Sequence, residues 1–207
     1  MKVGHILYKA NNLADTVNSF RKQGFKVEYG SFIKPHNALI YFSEGPYIEI
    51  LEKAPVSNIS MLVLRLIGQG KVANRFMKWK HVQEGFFGLC LENYETNFNR
   101  EELILRKYNL SFFKTKSSRI DPSRRRLTWK LLFPYELKLP FLMTYFNIDP
   151  KPVNFVHPNG IKKINQISFG TTKDLIPICA ELCDDDILAL HIGNGISHIS
   201  YQREHHL

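Results

Sequence analysis

Residues 2–29 read KVGHILYKANNLADTVNSFRKQGFKVEY, and this stretch decides the fold. Val3, His5 and Leu7 fall on one side of an extended segment, with Ile6 and Tyr8 on the other. That pattern predicts a strand over 2 to 9 buried on both faces. Asn12 is a helix cap, Leu13, Val17 and Phe20 share one helical face, and Gly24 ends the helix.

Reading outward, Lys26–Tyr29, Ala38–Phe42 and Tyr47–Glu52 follow as strands. The turn-forming clusters Pro35-His36-Asn37 and Ser43-Glu44-Gly45-Pro46 separate them. The order of the first third is β-α-β-β-β. Residues 57 to 82 form a helical connector, with Met61, Leu64 and Ile67 before the break at Gly68-Gln69-Gly70 and Val72, Phe76 and Trp79 after it. The same order then returns: a strand at Phe86–Glu92, a helix at Arg100–Tyr108, and a strand at Ser111–Lys114. A basic loop containing Pro122 comes next, then strands at Leu127–Phe133 and Phe141–Tyr145. Gly4-His5-Ile6-Leu7 and Gly85-Phe86-Phe87-Gly88 take equivalent places in this repeat. The final segment adds a strand at Ile164–Phe169, a helix over 173 to 183 and a hairpin over Ile187–Tyr201 turning at Asn194-Gly195. It is expected to complete or cover a sheet edge.

Composition limits what this chain can be. In 207 residues, 28 basic side chains oppose 19 acidic ones, and 44% of residues are hydrophobic. A disordered or fibrous chain is excluded. No apolar run approaches the roughly 18–20 residues of a membrane span, and no secretory leader is evident. Three cysteines make no disulfide framework, so a cytoplasmic protein is expected. Nine basic residues against Asp121 alone lie between 106 and 130, and a further basic run spans 57 to 82. Without a nucleic-acid-binding signature beside them, they read as a solvated basic face, and nucleic acid is disfavoured as a partner.

The strand opening with His5, the helix after Asn11-Asn12-Leu13, and Gly24-Phe25-Lys26-Val27 resemble the vicinal oxygen chelate superfamily. His36-Asn37-Ala38-Leu39-Ile40-Tyr41-Phe42 and Tyr47-Ile48-Glu49-Ile50-Leu51 are similar to its glyoxalase-like branch. So are Leu127-Thr128-Trp129-Lys130-Leu131-Leu132-Phe133-Pro134 and Leu139-Pro140-Phe141-Leu142. The resemblance spans roughly residues 1 to 170. It implies an α+β fold in which tandem βαβββ modules form a curled mixed-sheet cup. The divisions expected are a module over 1–53, a connector over 54–84, a second module over 85–150 and a C-terminal partial module over 151–207.

In enzymes of that superfamily a divalent metal in the cup chelates two neighbouring substrate oxygens. The resemblance places His5 and Glu49 as metal ligands, with Glu49 also the catalytic carboxylate. Read from the residues alone, His5 can equally be a hydrogen-bonded core histidine and Glu49 a strand carboxylate paired to a cation. Opposite His5 the repeat puts Phe86, and opposite Glu49 either Met143 or Thr144, so half of a four-ligand set is missing. Two readings follow: a small-molecule-binding cup with an incomplete metal site, or a metal-dependent lyase, isomerase or dioxygenase-like enzyme using His5 and Glu49. The ligand-lining candidates are Tyr8, Asn37, Tyr41, Phe86, Trp129 and Thr144. Either a monomer or a homodimer could form the cup. His36 and His157 read as turn residues. His191 and His198 read as a cross-strand pair on the wet face of the hairpin. Cys179 and Cys183 read as buried and inert, and Asp184-Asp185-Asp186 as a solvated turn.

Overall fold

The computed structural model describes residues 1–31, 35–53, 56–151 and 155–203. The first half comprises β1 (Lys2–Lys9), α1 (Leu13–Lys22), β2 (Glu28–Tyr29), β3 (Asn37–Ile40) and β4 (Tyr47–Leu51). Asn12 accepts hydrogen bonds from the Ala14 and Asp15 N–H groups, Asp15 sits in the first turn, and Arg21 and Lys22 in the last. Both ends of α1 thus complement its dipole. Leu13, Val17 and Phe20 are buried.

Helices α2 (Asn58–Leu66) and α3 (Gly70–His81) connect to the second half, which comprises β5 (Gly85–Asn93), α4 (Asn99–Lys107), β6 (Phe112–Ile120), β7 (Arg126–Pro134) and β8 (Phe141–Thr144). One eight-stranded sheet runs β2-β3-β4-β1-β5-β8-β7-β6. Each half pairs its first and last strands in parallel, β1 with β4 and β5 with β8, and the halves meet at the antiparallel seam β1–β5. The rims come together where Arg119 on β6 donates to the Gly30 carbonyl and the Tyr41 hydroxyl. The α+β curled-cup expectation is met.

Alternation along each strand divides the core between two faces. On the outer face Ile6, Ile48, Ile50, Leu89 and Leu91 pack with α1, α4, α5 (Ile176–Leu182) and the C-terminal strands. On the inner face Leu7, Tyr47, Cys90, Phe141 and Met143 are covered by Met61 of α2 and by Val72 and Phe76 of α3. The connector therefore occupies part of the cup. Arg75 of α3, 4% exposed, holds it there by donating to the carbonyls of Pro134, Glu136 and Leu139. Among the described residues no helix is long and apolar enough to cross a membrane.

Two expectations are corrected. The basic loop after Lys114 is mostly strand, because β6 continues to Ile120 with Lys114, Lys116 and Ser118 exposed and Thr115, Ser117 and Arg119 partly covered. Period-two alternation on a charged edge strand looks polar throughout and reads as loop. The turn itself is tight, with the Asp121 carboxylate accepting from the Arg125 N–H and Nε.

The C-terminal hairpin is not a hairpin. Strands β10 (Leu188–Ile192) and β11 (Gly195–Arg203) flank β9 (Ile161–Thr171), one parallel and one antiparallel, and do not pair with each other. The link between them passes so close over Gly170 that a Cβ there would lie 2.5 Å from Asn194 N. The absent side chain lets the chain cross β9 instead of turning back. This segment also grips the start of the sheet: Val3 N–H donates to Asp185 Oδ2 and Asp184 N–H to the Met1 carbonyl.

Candidate functional site

The parallel register pairs His5 with Tyr47 and Leu7 with Glu49, while across the seam His5 faces Cys90. These positions share the inner face. The His5 ring, 2% exposed, stacks on Tyr47 at 4.7 Å between centroids and meets Phe141 edge-on at 5.5 Å. Its Nε2 lies 3.6 Å from Glu49 Oε2 and its Nδ1 3.4 Å from Glu92 Oε1. Asn37 Nδ2 donates to Glu49 Oε1 at 2.6 Å. A polar row, Glu92–His5–Glu49–Asn37, thus crosses the apolar floor on four adjacent strands, β5, β1, β4 and β3.

The row sets one imidazole between two carboxylates. A neutral imidazole donates from one nitrogen only, an imidazolium from both, and here each nitrogen faces its own carboxylate. The neighbours stay neutral. Burial, then the Glu92 and Glu49 charges, pushes Tyr47 well above the usual phenol range, and the same causes raise the Cys90 thiol. Burial pushes Tyr41 up to about 12 despite the opposing pull of Arg119. Two openings flank the row. A cleft of about 280 Å³ lined by Leu39, Tyr41 and Arg119 lies one strand from Glu49, since Leu39 and Glu49 are register partners. A second, of about 290 Å³, is lined by Glu92, Gly4 and Lys163.

The donors do not fit the superfamily's four-ligand metal centre. Cys90 pairs with Phe141 as His5 pairs with Tyr47, and Pro140-Phe141-Leu142-Met143 matches Pro46-Tyr47-Ile48-Glu49. The counterparts of His5 and Glu49 are therefore Cys90, not Phe86, and Met143, not Thr144. The repeat in sequence is shifted by four residues because the long β5 begins before the part of it that faces His5. A buried thiol and a soft thioether are poor partners for an imidazole and a carboxylate around one hard ion. The two His5 nitrogens point to opposite sides, so one ion cannot gather both carboxylates through the ring. Among the described residues no group of three His, Cys, Asp or Glu is arranged to hold a metal ion.

The other candidates lie beside or away from the row, Trp129 and Thr144 together in the lining of a separate concavity. Tyr41 and Asn37 stand beside Glu49, and Trp129 is on the inner face against Phe146 at 5.1 Å. Tyr8 and Phe86 pack edge to face at 5.0 Å and Tyr8 on Phe20, among the outer-face residues. Thr144 is one residue out of step with the inner-face Met143, and its hydroxyl accepts from the Lys130 N–H. His36 is exposed. His157 opens a turn, its carbonyl accepting from the Gly160 N–H, and its ring is buried there, Nδ1 accepting from the Lys26 N–H. His191 bonds Ser197 and does not face His198. Cys179 and Cys183 are free and buried, and burial pushes both thiols up to about 12. Asp185 anchors β1 rather than standing free in a turn.

Sequence reasoning missed Glu92 and Arg119. The only signal for Glu92 is a carboxylate in a strand otherwise apolar on both faces, which needs a buried partner.

No curated protein matches this sequence. A family model described as a glyoxalase-like domain matches residues 3–177. The match covers most of the chain and both halves of the curled sheet, and the chain belongs to the glyoxalase-like domain family.

Proposed function

We propose that this chain is a small-molecule-binding cup in which Asn37, Glu49 and Tyr41 engage an oxygen function of the ligand, with His5 and Glu92 behind them as a proton reserve. The observation that carries this reading is the placement of His5 between two carboxylates, 3.6 and 3.4 Å away, beside a cleft rimmed by Tyr41 and Arg119. A ligand hydroxyl or enol that gives a proton to Glu49 passes charge to His5 without opening the apolar floor to water. The module division at 1–53, 54–84, 85–150 and 151–207 and a cytoplasmic location belong to the same proposal. Three free, buried cysteines suit a reducing compartment. The test is ligand-observed NMR with a panel of small carbonyl and hydroxy compounds, comparing the wild type with Glu49→Gln and Asn37→Ala. Binders lost in both variants support the reading. No binder, or binders indifferent to both substitutions, would overturn it.

A second reading is a divalent-metal-dependent lyase, isomerase or dioxygenase-like enzyme using His5 and Glu49. Its support is Glu92 behind Nδ1, the position from which a carboxylate orients a ligating imidazole. Metal content of protein purified without chelator or nickel resin separates the two. Stoichiometric metal that vanishes in His5→Ala favours the second; unchanged content in that variant removes it.

A further inference from the structure

A concavity of about 700 Å³ lies away from the His5 row, beside the β6–β7 hairpin where β8 peels away. At that point the Lys130 N–H is received by the Thr144 hydroxyl in place of a β8 carbonyl, and the chain rejoins only where Asn147 N–H reaches the Thr128 carbonyl. Register sets Lys116 directly opposite Lys130 on one face, with Arg126 two pairs beyond Thr128 and Ser118 on the same side. Like charges directly opposite on a sheet are destabilising. The neighbouring Lys114 is neutralised by Glu102, yet among the described residues no carboxylate pairs with Lys116, Arg126 or Lys130. Lys130 Nζ instead donates to the Thr96 carbonyl, which points it into the concavity wall. In the same lining Tyr94 is 76% exposed, its ring resting against Tyr145 at 4.9 Å between centroids and otherwise open to water.

Three cations against the one lining carboxylate, Glu95, with hydroxyls beside them and a largely exposed aromatic ring, are explained together by one kind of occupant. We propose that this concavity binds a small phosphorylated molecule with a planar body. The phosphate sits between Lys116, Lys130 and Arg126, with the Thr128 and Ser118 hydroxyls donating to its oxygens, and the planar part lies on Tyr94. The cations converge on one pocket of small-molecule size instead of spacing out along a strip, which favours a compact anion over a nucleic-acid backbone. This site does not rest on the cup reading, since its cations and hydroxyls occupy the opposite face of the sheet.

Isothermal titration with phenyl phosphate tests it, with phenol, inorganic phosphate and a single-stranded oligonucleotide as comparisons. Phenyl phosphate is expected to bind, more weakly as salt rises, with inorganic phosphate weaker and phenol silent. Lys116→Gln and Arg126→Gln should each lower its affinity by about tenfold, and Tyr94→Ala should bring it to the level of inorganic phosphate. Lys116→Gln removes a like-charge contact and should raise the unfolding temperature, so lost affinity in that variant cannot be misfolding. Glu49→Gln, which disables the cup, should leave phenyl phosphate affinity unchanged, so the two readings fail separately. Absence of phenyl phosphate binding, equal binding in Lys116→Gln, or binding of the oligonucleotide alone would each overturn the proposal.

Discussion

A Cβ on Gly4 would fall inside the side chain of Glu92, so this carboxylate reaches His5 only because position 4 carries none. Gly4 also sits at the seam's register shift between Val3 and His5. Gly4→Ala should cost about 1–3 kcal/mol by overpacking. In Gly4→Ala/Glu92→Ala the colliding atoms are gone, and the double variant should be less destabilised than the sum of its parts by about 1 kcal/mol or more. Urea unfolding of the four proteins measures this; strict additivity would show that the two positions do not touch.

His5 is the one described side chain bonded to Glu92, which is 5% exposed. His5→Leu should therefore destabilise by about 3–5 kcal/mol at neutral pH, because a buried carboxylate loses its partner. His5→Leu/Glu92→Leu should recover much of that loss, since removing both partners leaves only apolar surface. Equilibrium denaturation checks both. A double variant worse than the single one would contradict the pairing.

Arg75 gives its guanidinium to three carbonyls, and burial lowers its pKa only to about 10, so it stays charged at neutral pH. Arg75→Met should cost about 3 kcal/mol or more by stranding buried acceptors. Arg75→Lys should restore little, because an ammonium cannot span the same fork. Hydrogen exchange should show α3 losing protection first.

Stability should fall on acidification through one histidine. Burial holds His157 down at about 4, against an ordinary 6.5. The unfolded ring takes its proton near pH 6.5 while the folded ring resists until about pH 4, so the unfolded state binds more protons in that window. This contribution is present above pH 6.5 and is lost as pH drops toward 4, amounting to about 3 kcal/mol. Calorimetry of wild type and His157→Gln across that range should show a flatter profile in the variant.

Gly170→Ala should push the crossing link off β9, since the new carbon meets backbone rather than a flexible side chain. The expected signature is faster amide exchange over residues 195–203 with β1 still protected. Uniform loss of protection would mean that the crossing supports the whole sheet.

Most of the architecture was legible from local signals. The two-sided burial of 2–9, the Asn12 cap and the turn clusters are short-range facts, and the repeated element order exposed the pairing of halves. What failed was long-range. Asn194-Gly195 announces a turn but not which strand receives the chain next, and only the crowding at Gly170 decides that. His5 and Glu49 could be named because the family resemblance put both at ligand positions, and they lie 3.6 Å apart. Glu92 could not, because its meeting with His5 depends on a register shift at Gly4 that no spacing reveals. The polar alternation of β6 hid a strand inside what reads as a loop.

The grip of residues 184–185 on residues 1–3 has a cost in time. Val3 and Asp185 are 182 positions apart. At about 5–20 residues per second, a ribosome delivers the second partner roughly 10–40 s after the first. Throughout that interval Ile6 and the rest of the outer face of β1 await the C-terminal strands that share their core. The nascent chain carries a sticky, half-covered sheet for most of its synthesis. Its yield in the cell should depend on a holding chaperone at the exit tunnel more than on the stability of the finished protein.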